Sequence, residues 1–308
     1  MPESPVIAQP KPPAAAGSAL PSALTQQIAT DLDRQRQTGA LRQIKIPPCP
    51  ALLVRLQAAL ALAEPDLQEV GRIAISDVAI AATLLRNANS ALFGGDQPVQ
   101  TVGQAMNRIG LDQTAVLLTD VLLRQAIPVN HPRLKRFWEQ AALRSAAMHF
   151  IARQLPGIAP ELAQLYGLFC HVGIPVLLQR LRGYSGTLVE AAARRDRSRV
   201  ATENANHRTD HAVVGALVAR LWGVAPSVMA AIRLHHDLLQ FSRHDADPEV
   251  QTLVAMGLLA EDAMRRREGL DTEHDWQQHA GAARDWLGVN QDDVADWDHL
   301  LQPVLDAV

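Results

Sequence analysis

Gly167-Leu168-Phe169-Cys170-His171-Val172-Gly173 lies near the middle of a 308-residue chain. Two glycines frame an otherwise apolar stretch in which a thiol and an imidazole are neighbours. The surrounding run, Pro160 to Arg182, reads as helix, and Pro175 is expected to kink or end its first part. An apolar helix with two metal-ligating side-chain types at its centre has two readings. Cys170 and His171 bind something, or they are buried parts of a core.

The rest of the chain is helical in character. Aromatic residues make up 4%, Ala and Leu are abundant, and β-branched runs are few, which favours helix over sheet. Apolar residues at 48% and charged residues at 20% suffice for a packed core in one large domain or two ordinary ones. A net charge of −3 gives no general pull toward nucleic acid or anionic membrane. Two cysteines, Cys49 and Cys170, do not make a disulfide framework and suit a reducing compartment. No basic segment followed by an apolar core opens the chain, and no run of ~18 uncharged apolar residues is evident. The expectation is a soluble cytoplasmic protein with neither a membrane nor a nucleic acid among its partners.

Helices flank the central stretch on both sides. Upstream, a long helix is expected from Leu134 to Gln154; downstream, helices are expected over Thr187–Arg194, Asp210–Trp222 and Pro226–Leu239, with Pro226 at the first helical position. Nearer the N-terminus, Ile46-Pro47-Pro48-Cys49-Pro50 enforces an extended lead into a helix over Ala51–Ala63. Helices follow over Asp66–Ser76, with Asp66 as N-cap, and over Asp77–Ser90. Phe93 to Pro98 reads as a loop, and Asn87, Asn89 and Ser90 are expected to brace it. Two more helices, Val102–Ile109 and Gln113–Gln125, meet at Gly110. Residues 1–21 are rich in Pro, Ala and Ser and read as disordered; an amphipathic helix over 22–40 places Leu24, Ile28 and Leu32 on one face. The tail, 241–308, reads as a helical continuation broken at Gly269 and Gly288. Trp138 and Trp222 are expected in the core. The fold class is all-α.

In this order and spacing the segments resemble an HDOD domain, the HD-related output domain of bacterial signalling proteins. The resemblance rests on Ile46-Pro47-Pro48-Cys49-Pro50, on Ile75-Ser76-Asp77 with Leu84 to Gly94, and on Phe137-Trp138. Asp210-His211-Ala212-Val213-Val214-Gly215-Ala216 with Trp222, and then His235-His236, close the match. It covers roughly Leu41 to Leu239 and implies a multi-helix bundle. An N-terminal helical half, 41–130, would pack on a degenerate HD-like half, 131–240.

The resemblance also implies a chemical question. Related HD and HD-GYP phosphohydrolases hold divalent metals through a His, an adjacent His-Asp pair and a distant Asp, often with further histidines; carboxylates there offset the metal charge. At the matching positions this chain has Gln140, then Cys170-His171, and no acid around Gly257, where the nearest are Glu261 and Asp262. His211, His235 and His236 survive, as does Glu203, eight residues before His211. A Cys170, His171, His211 and His235 site would suit zinc. The reading preferred is a buried Cys170 beside an interior His171, with no metal, no cofactor and no catalytic residue. Because adjacent helical residues point ~100° apart, His235 and His236 are not expected to serve one ion. The basic run Arg194, Arg195, Arg197 and Arg199 is a solvated loop or a contact for an anionic ligand or partner.

Two functions remain open. One is a non-catalytic signalling or regulatory module, linked by resemblance to motility, biofilm or cyclic-di-GMP networks, that acts through a protein partner or senses a small ligand. The other is a divergent metal-dependent phosphohydrolase using Cys170, His171, His211 and His235. A helix-turn-helix over 66–125 finds little support, since its second half offers only Arg108 and Arg124 as phosphate contacts.

Overall fold

The structure is a computed structural model that describes residues 22–37, 39–90, 93, 97–194, 196–238, 247–270 and 274–306. The Pro/Ala-rich segment 1–21 and Arg195 lie outside the described residues. Every regular element among the described residues is helical. The N-terminal half contains α1 (Ala23–Gln37), α2 (Ala51–Leu60), α3 (Leu67–Ile75), α4 (Val78–Ala88), α5 (Val102–Ile109) and α6 (Leu111–Ala126). The second half contains α7 (Phe137–Gln154), α8 (Pro160–Phe169), α9 (Gly173–Arg180), α10 (Tyr184–Ala193), α11 (Arg199–His207), α12 (His211–Leu221) and α13 (Pro226–Leu234). The tail supplies α14 (Pro248–Arg267), α15 (His274–Leu287) and α16 (Gln291–Asp306).

Local chemistry explains many of the boundaries. Asp66 and Asp77 cap α3 and α4 by accepting N–H bonds from Glu69 and from Ala79 and Ile80. Thr101 and Gln104 form a capping box at the start of α5. Pro226 occupies the first turn of α13, where no N–H bond is lost. Asn89 braces the loop after α4, its amide bonding both the N–H and the C=O of Val99 at 2.8 and 2.9 Å. The tail bends at Gly269 and Gly288, both at positive φ.

The central stretch breaks earlier than expected. Helix α8 stops at Phe169 and α9 starts at Gly173, so Cys170, His171 and Val172 form the turn between them. Pro175 lies in the first turn of α9, where it costs no helical bond, and the first part of the stretch ends ahead of it, as expected. The two glycines permit close helix contact. A Cβ on Gly167 would sit 2.9 Å from the Ser145 Cα of α7, and one on Gly173 only 2.1 Å from the His211 carbonyl oxygen of α12. The run Pro160–Arg180 is long and apolar enough by composition to cross a membrane, contrary to the expectation that no such run exists. Most of it is buried as the α8–α9 core pair.

The two halves share one core. Helix α6 packs on α8. The indole of Trp222, 1% exposed, donates to the Pro47 carbonyl at 3.0 Å, and its own carbonyl accepts from Gln57 at 2.7 Å. That indole therefore pins the proline-rich lead to the end of α12. Trp138, by contrast, is only partly buried and carries the Arg124 guanidinium 5.7 Å above its ring. Arg108 bonds the Gln97 carbonyl and Arg124 pairs with Asp120, so neither is committed to a phosphate footprint. Helix α1 lies against α12 and α13. The tail is integral to the core: α14 packs on α7, α8 and α13, and α16 packs on α7.

Candidate functional site

Four histidines meet where helix ends converge. His171 lies in the α8–α9 turn, His211 is the first residue of α12, and His235 and His236 follow the last residue of α13. One ring nitrogen from each lies within 4.8 Å of the others. The closest approaches are His211 Nε2 to His235 Nε2 at 3.2 Å and to His236 Nε2 at 3.3 Å. The expectation that His235 and His236 diverge by ~100° is corrected here. That angle holds inside a helix, and both residues lie beyond the end of α13, with ring centroids 4.1 Å apart.

Neighbouring groups set the direction of each ring. Asp210 caps α12 by accepting the Val213 N–H at 2.8 Å, which starts the helix at His211. His211 Nδ1 faces Glu203 Oε2 at 2.8 Å, and that same oxygen accepts the His211 backbone N–H at 2.8 Å. The other carboxylate oxygen accepts the Tyr184 hydroxyl at 2.9 Å. Burial is the largest influence on Glu203 and would raise its pKa. The His211 ring and N–H and the Tyr184 hydroxyl outweigh it and hold the group at about 2. Glu203 is therefore an anion with no solvent exposure, and His211 donates to it through Nδ1–H. His235 Nδ1 lies 2.7 Å from the Ile232 carbonyl, which can only accept, so this nitrogen also carries its proton. Both Nε2 lone pairs therefore face the cluster. Burial, reinforced by neighbouring positive groups, lowers the pKa of His171 and His235 well below the ordinary value. It also lowers His211, where Glu203 opposes the shift. The three rings are neutral at neutral pH, the form that binds metals.

The opposite wall has different chemistry. Arg144 of α7 is 5% exposed; its guanidinium donates to His171 Nδ1 at 3.0 Å and to the Gly167 carbonyl at 3.3 Å, and it pairs with Glu261 of α14. Cys170 also faces this side. Burial pushes its thiol up to about 12 despite the nearby Arg144, so it stays protonated and inert. Gly257 leaves room for the Tyr166 hydroxyl, which a Cβ would approach to 2.9 Å. On the Arg144 side of the cluster lies a cavity of about 50 Å³, bounded by His171, His235 and His236 together with Arg144, Cys170 and Glu261. It has room for water or a small ion, whereas drug-sized ligands occupy ~300 Å³ or more.

The structure separates the residues named from sequence. His171, His211, His235 and His236 come together, with Glu203 directly behind His211. Cys170 and Gly257 line the cavity but stand outside the imidazole cluster, so His236 takes the place given to Cys170. Gln140 does not line the cavity and bonds Glu268 at 2.8 Å. The residue that faces the cavity is Arg144, one turn further along α7. Arg194 pairs with Glu190 and Asp196. The Nε of half-buried Arg197 has no hydrogen-bond partner among the described residues. Arg199 heads α11, and its charge disfavours protonation of His171 and His211. Arg144, Tyr184 and the engaged Glu261 were missed as site residues. The signal for Arg144 was a lone cation within Ala141-Ala142-Leu143-Arg144-Ser145-Ala146-Ala147.

The carboxylate-rich metal set of HD phosphohydrolases does not fit these residues. Among the described residues no acid belongs to the ligating cluster; Glu203 is turned to the outer nitrogen of His211, Glu261 is tied to Arg144, and Arg144 sets a positive charge against His171.

Comparison with known proteins places this geometry among relatives. The HDOD domain model matches residues 46–238. An uncharacterized protein of Treponema pallidum (strain Nichols) is 26% identical over 214 residues, which is 69% of this chain and 42% of that protein. The chain thus spans about two fifths of the length of that curated relative. Among solved structures, an HDOD domain protein of unknown function from Geobacter sulfurreducens superposes with a TM-score of 0.67 at 19% identity. The match covers 92% of this chain and 97% of that one. A protein provisionally named a phosphohydrolase from Shewanella amazonensis SB2B gives 0.66 at 18% identity, covering 92% and 96%. A protein provisionally named for signal transduction, from Marinobacter aquaeolei VT8, gives 0.69 at 18% identity, covering 92% and 64%. At these identities the likeness is one of fold.

Proposed function

The chain belongs to the HDOD domain family, and from that premise we propose that it is a non-catalytic signalling module that acts by contact with a protein partner. The observation that carries this reading is the Arg144–Glu261 ion pair. Both acids beside the imidazole cluster are engaged, Glu261 by a buried guanidinium and Glu203 by His211 and the Tyr184 hydroxyl, so neither is free to bridge metal ions. The small cavity agrees, because a nucleotide-sized phosphoester needs several times its volume. Contact as the mode of action is supported by the surface of the N-terminal half. Of the nine exposed large apolar side chains among the described residues, Val54, Leu62, Leu67, Ile75 and Val78 all fall from α2 to the start of α4. The name of the Marinobacter relative agrees with a signalling role.

The test is enzymatic. The full chain, supplied with Mn²⁺, Fe²⁺ or Zn²⁺, is expected to release no phosphate from nucleotides, cyclic dinucleotides or a generic phosphodiester. Turnover that disappears in His211→Ala would overturn the proposal. Capture from the native cell is expected to yield a protein partner that Val78→Asp no longer retains.

A second reading, divergent phosphohydrolysis, is favoured by the gathering of four imidazoles. It would have to work without a carboxylate ligand, and the same assay decides it.

A further inference from the structure

We propose that the chain pairs with a second copy of itself through α3, with Gly71 at the point where the two α3 helices cross. The inference rests on the reading of the α2–α4 surface as a contact surface, and it names the partner.

The pattern along α3 is the first support. Leu67, Gly71 and Ile75 recur at every fourth position, so they share one side of the helix, and Val78 follows at the start of α4. Leu67, Ile75 and Val78 are 59%, 66% and 87% exposed, while Val70, Ile73 and Ala74 on the other side of α3 fill the core. The helix thus has two apolar faces, and the described residues cover one. Val54 and Leu62, on and just beyond α2, enlarge the exposed group, and α2 packs on α3. Five side chains, each more than half exposed, make on the order of a few hundred Å² of apolar surface, the size at which a patch marks an interface. Two such faces with their polar borders reach the ~1,000 Å² of total area expected of a specific contact.

Gly71 is the second support. It lies mid-helix, where glycine destabilises relative to alanine. No atom lies within 4 Å of the place a Cβ would take, so nothing inside the chain requires the small residue. Gly103, Gly186 and Gly281 are as open, but none has an exposed large apolar side chain one turn before and one turn after it, as Gly71 has in Leu67 and Ile75. A glycine so placed lets a second helix approach the backbone closely while the flanking side chains close over it.

Charge selects the occupant. The ionic groups bordering this face, Arg55, Asp66, Glu69 and Arg72, are two cations and two anions already paired with one another. Glu69 meets Arg55 at 2.6 Å and Arg72 at 3.1 Å, and Arg72 lies 4.0 Å from Asp66. Such a face meets its own image without a like-charge excess, and it offers no net charge by which an acidic or basic partner would be chosen. In a two-fold pair the same patch serves both sides of the contact, so one apolar helix face suffices.

The experiment measures the mass of the full chain by sedimentation equilibrium over a wide range of concentration. Two chains per particle are expected at the high end, dissociating on dilution. Val78→Asp and Gly71→Leu should each weaken association about tenfold or more, the loss expected at the centre of an interface. Both positions face open space, so both variants should keep the helical content of the unaltered chain. Gly71→Leu is the sharper of the two. It adds apolar surface, which would strengthen a merely adhesive patch, but it blocks the close approach of two backbones. Leu300→Asp, at an exposed position of α16, should leave association unchanged. A single-chain mass at every concentration, association that Val78→Asp or Gly71→Leu leaves intact, or association lost in Leu300→Asp would each overturn the proposal. A single-chain particle that retains a different protein through Val78 removes the second copy and leaves the contact reading standing; a phosphate-releasing dimer does the reverse.

Discussion

The two walls around the imidazole cluster differ in what they offer a cation. On the wall built by α11, α12 and the end of α13, a buried Glu203 anion orients His211, and three Nε2 atoms converge. On the wall built by α7 and α14, a buried Arg144 is neutralised by Glu261 and donates to His171. The first wall gathers imidazoles; the second holds an internal ion pair. Under the proposed function, a fold keeps a site's architecture on one side while hydrolysis, which needs both walls, is given up.

The largest test strikes the Glu203 wall. Glu203→Ala leaves the His211 ring, its backbone N–H and the Tyr184 hydroxyl unpaired inside the core. It is expected to cost about 3–5 kcal/mol in urea unfolding. A loss below 1 kcal/mol would mean that this wall is no more organised than the other. Next comes Gly173→Ala, whose methyl group would collide with the backbone of His211. About 3 kcal/mol of destabilisation is expected, because α9 and α12 must separate.

On the other wall, Arg144→Met strands Glu261, whose side chain is 31% exposed and can recover water. A smaller loss of about 1–3 kcal/mol is expected, and a double-mutant cycle with Glu261→Gln should return much of it as coupling. Additivity of the two changes would sink the ion-pair account.

Acidity separates the walls further. His171 and His235 have depressed pKa values when folded, whereas unfolded histidine titrates near 6.5. Below that pH the unfolded chain takes up protons that the folded chain refuses. The stability of the metal-free chain should therefore be fully present above about pH 7 and fall as pH drops below about 6.5. The slope approaches roughly 1.4 kcal/mol per pH unit for each histidine. Glu203 acts in a lower window: its contribution is lost as pH falls from about 4.5 toward 2. Urea midpoints at pH 7.5, 5.5 and 4 check both windows, and flat midpoints between 7.5 and 5.5 would contradict neutral buried imidazoles. The smallest effect is expected from Gln140→Ala. Its bond to Glu268 is exposed, so the change should stay within about 0.5 kcal/mol.

By itself the sequence determined the all-α fold, most helix boundaries and which histidines survive. These depend on local causes: apolar periodicity, the caps at Asp66 and Asp77, Pro226 in a first turn, and Gly269 and Gly288 at bends. The family pattern likewise resides in short contiguous blocks. Only the tertiary structure decided which side chains share the cavity. Whether Gln140 or Arg144 faces it is a matter of one helical turn along α7, and packing against α14 settles that register. Whether His235 and His236 converge depends on where α13 ends, because the angular rule for neighbours lapses once the helix stops. Gly167 and Gly173 look like simple punctuation in the sequence. In the fold they are the places where α8 meets α7 and α9 meets α12, too close to admit a Cβ.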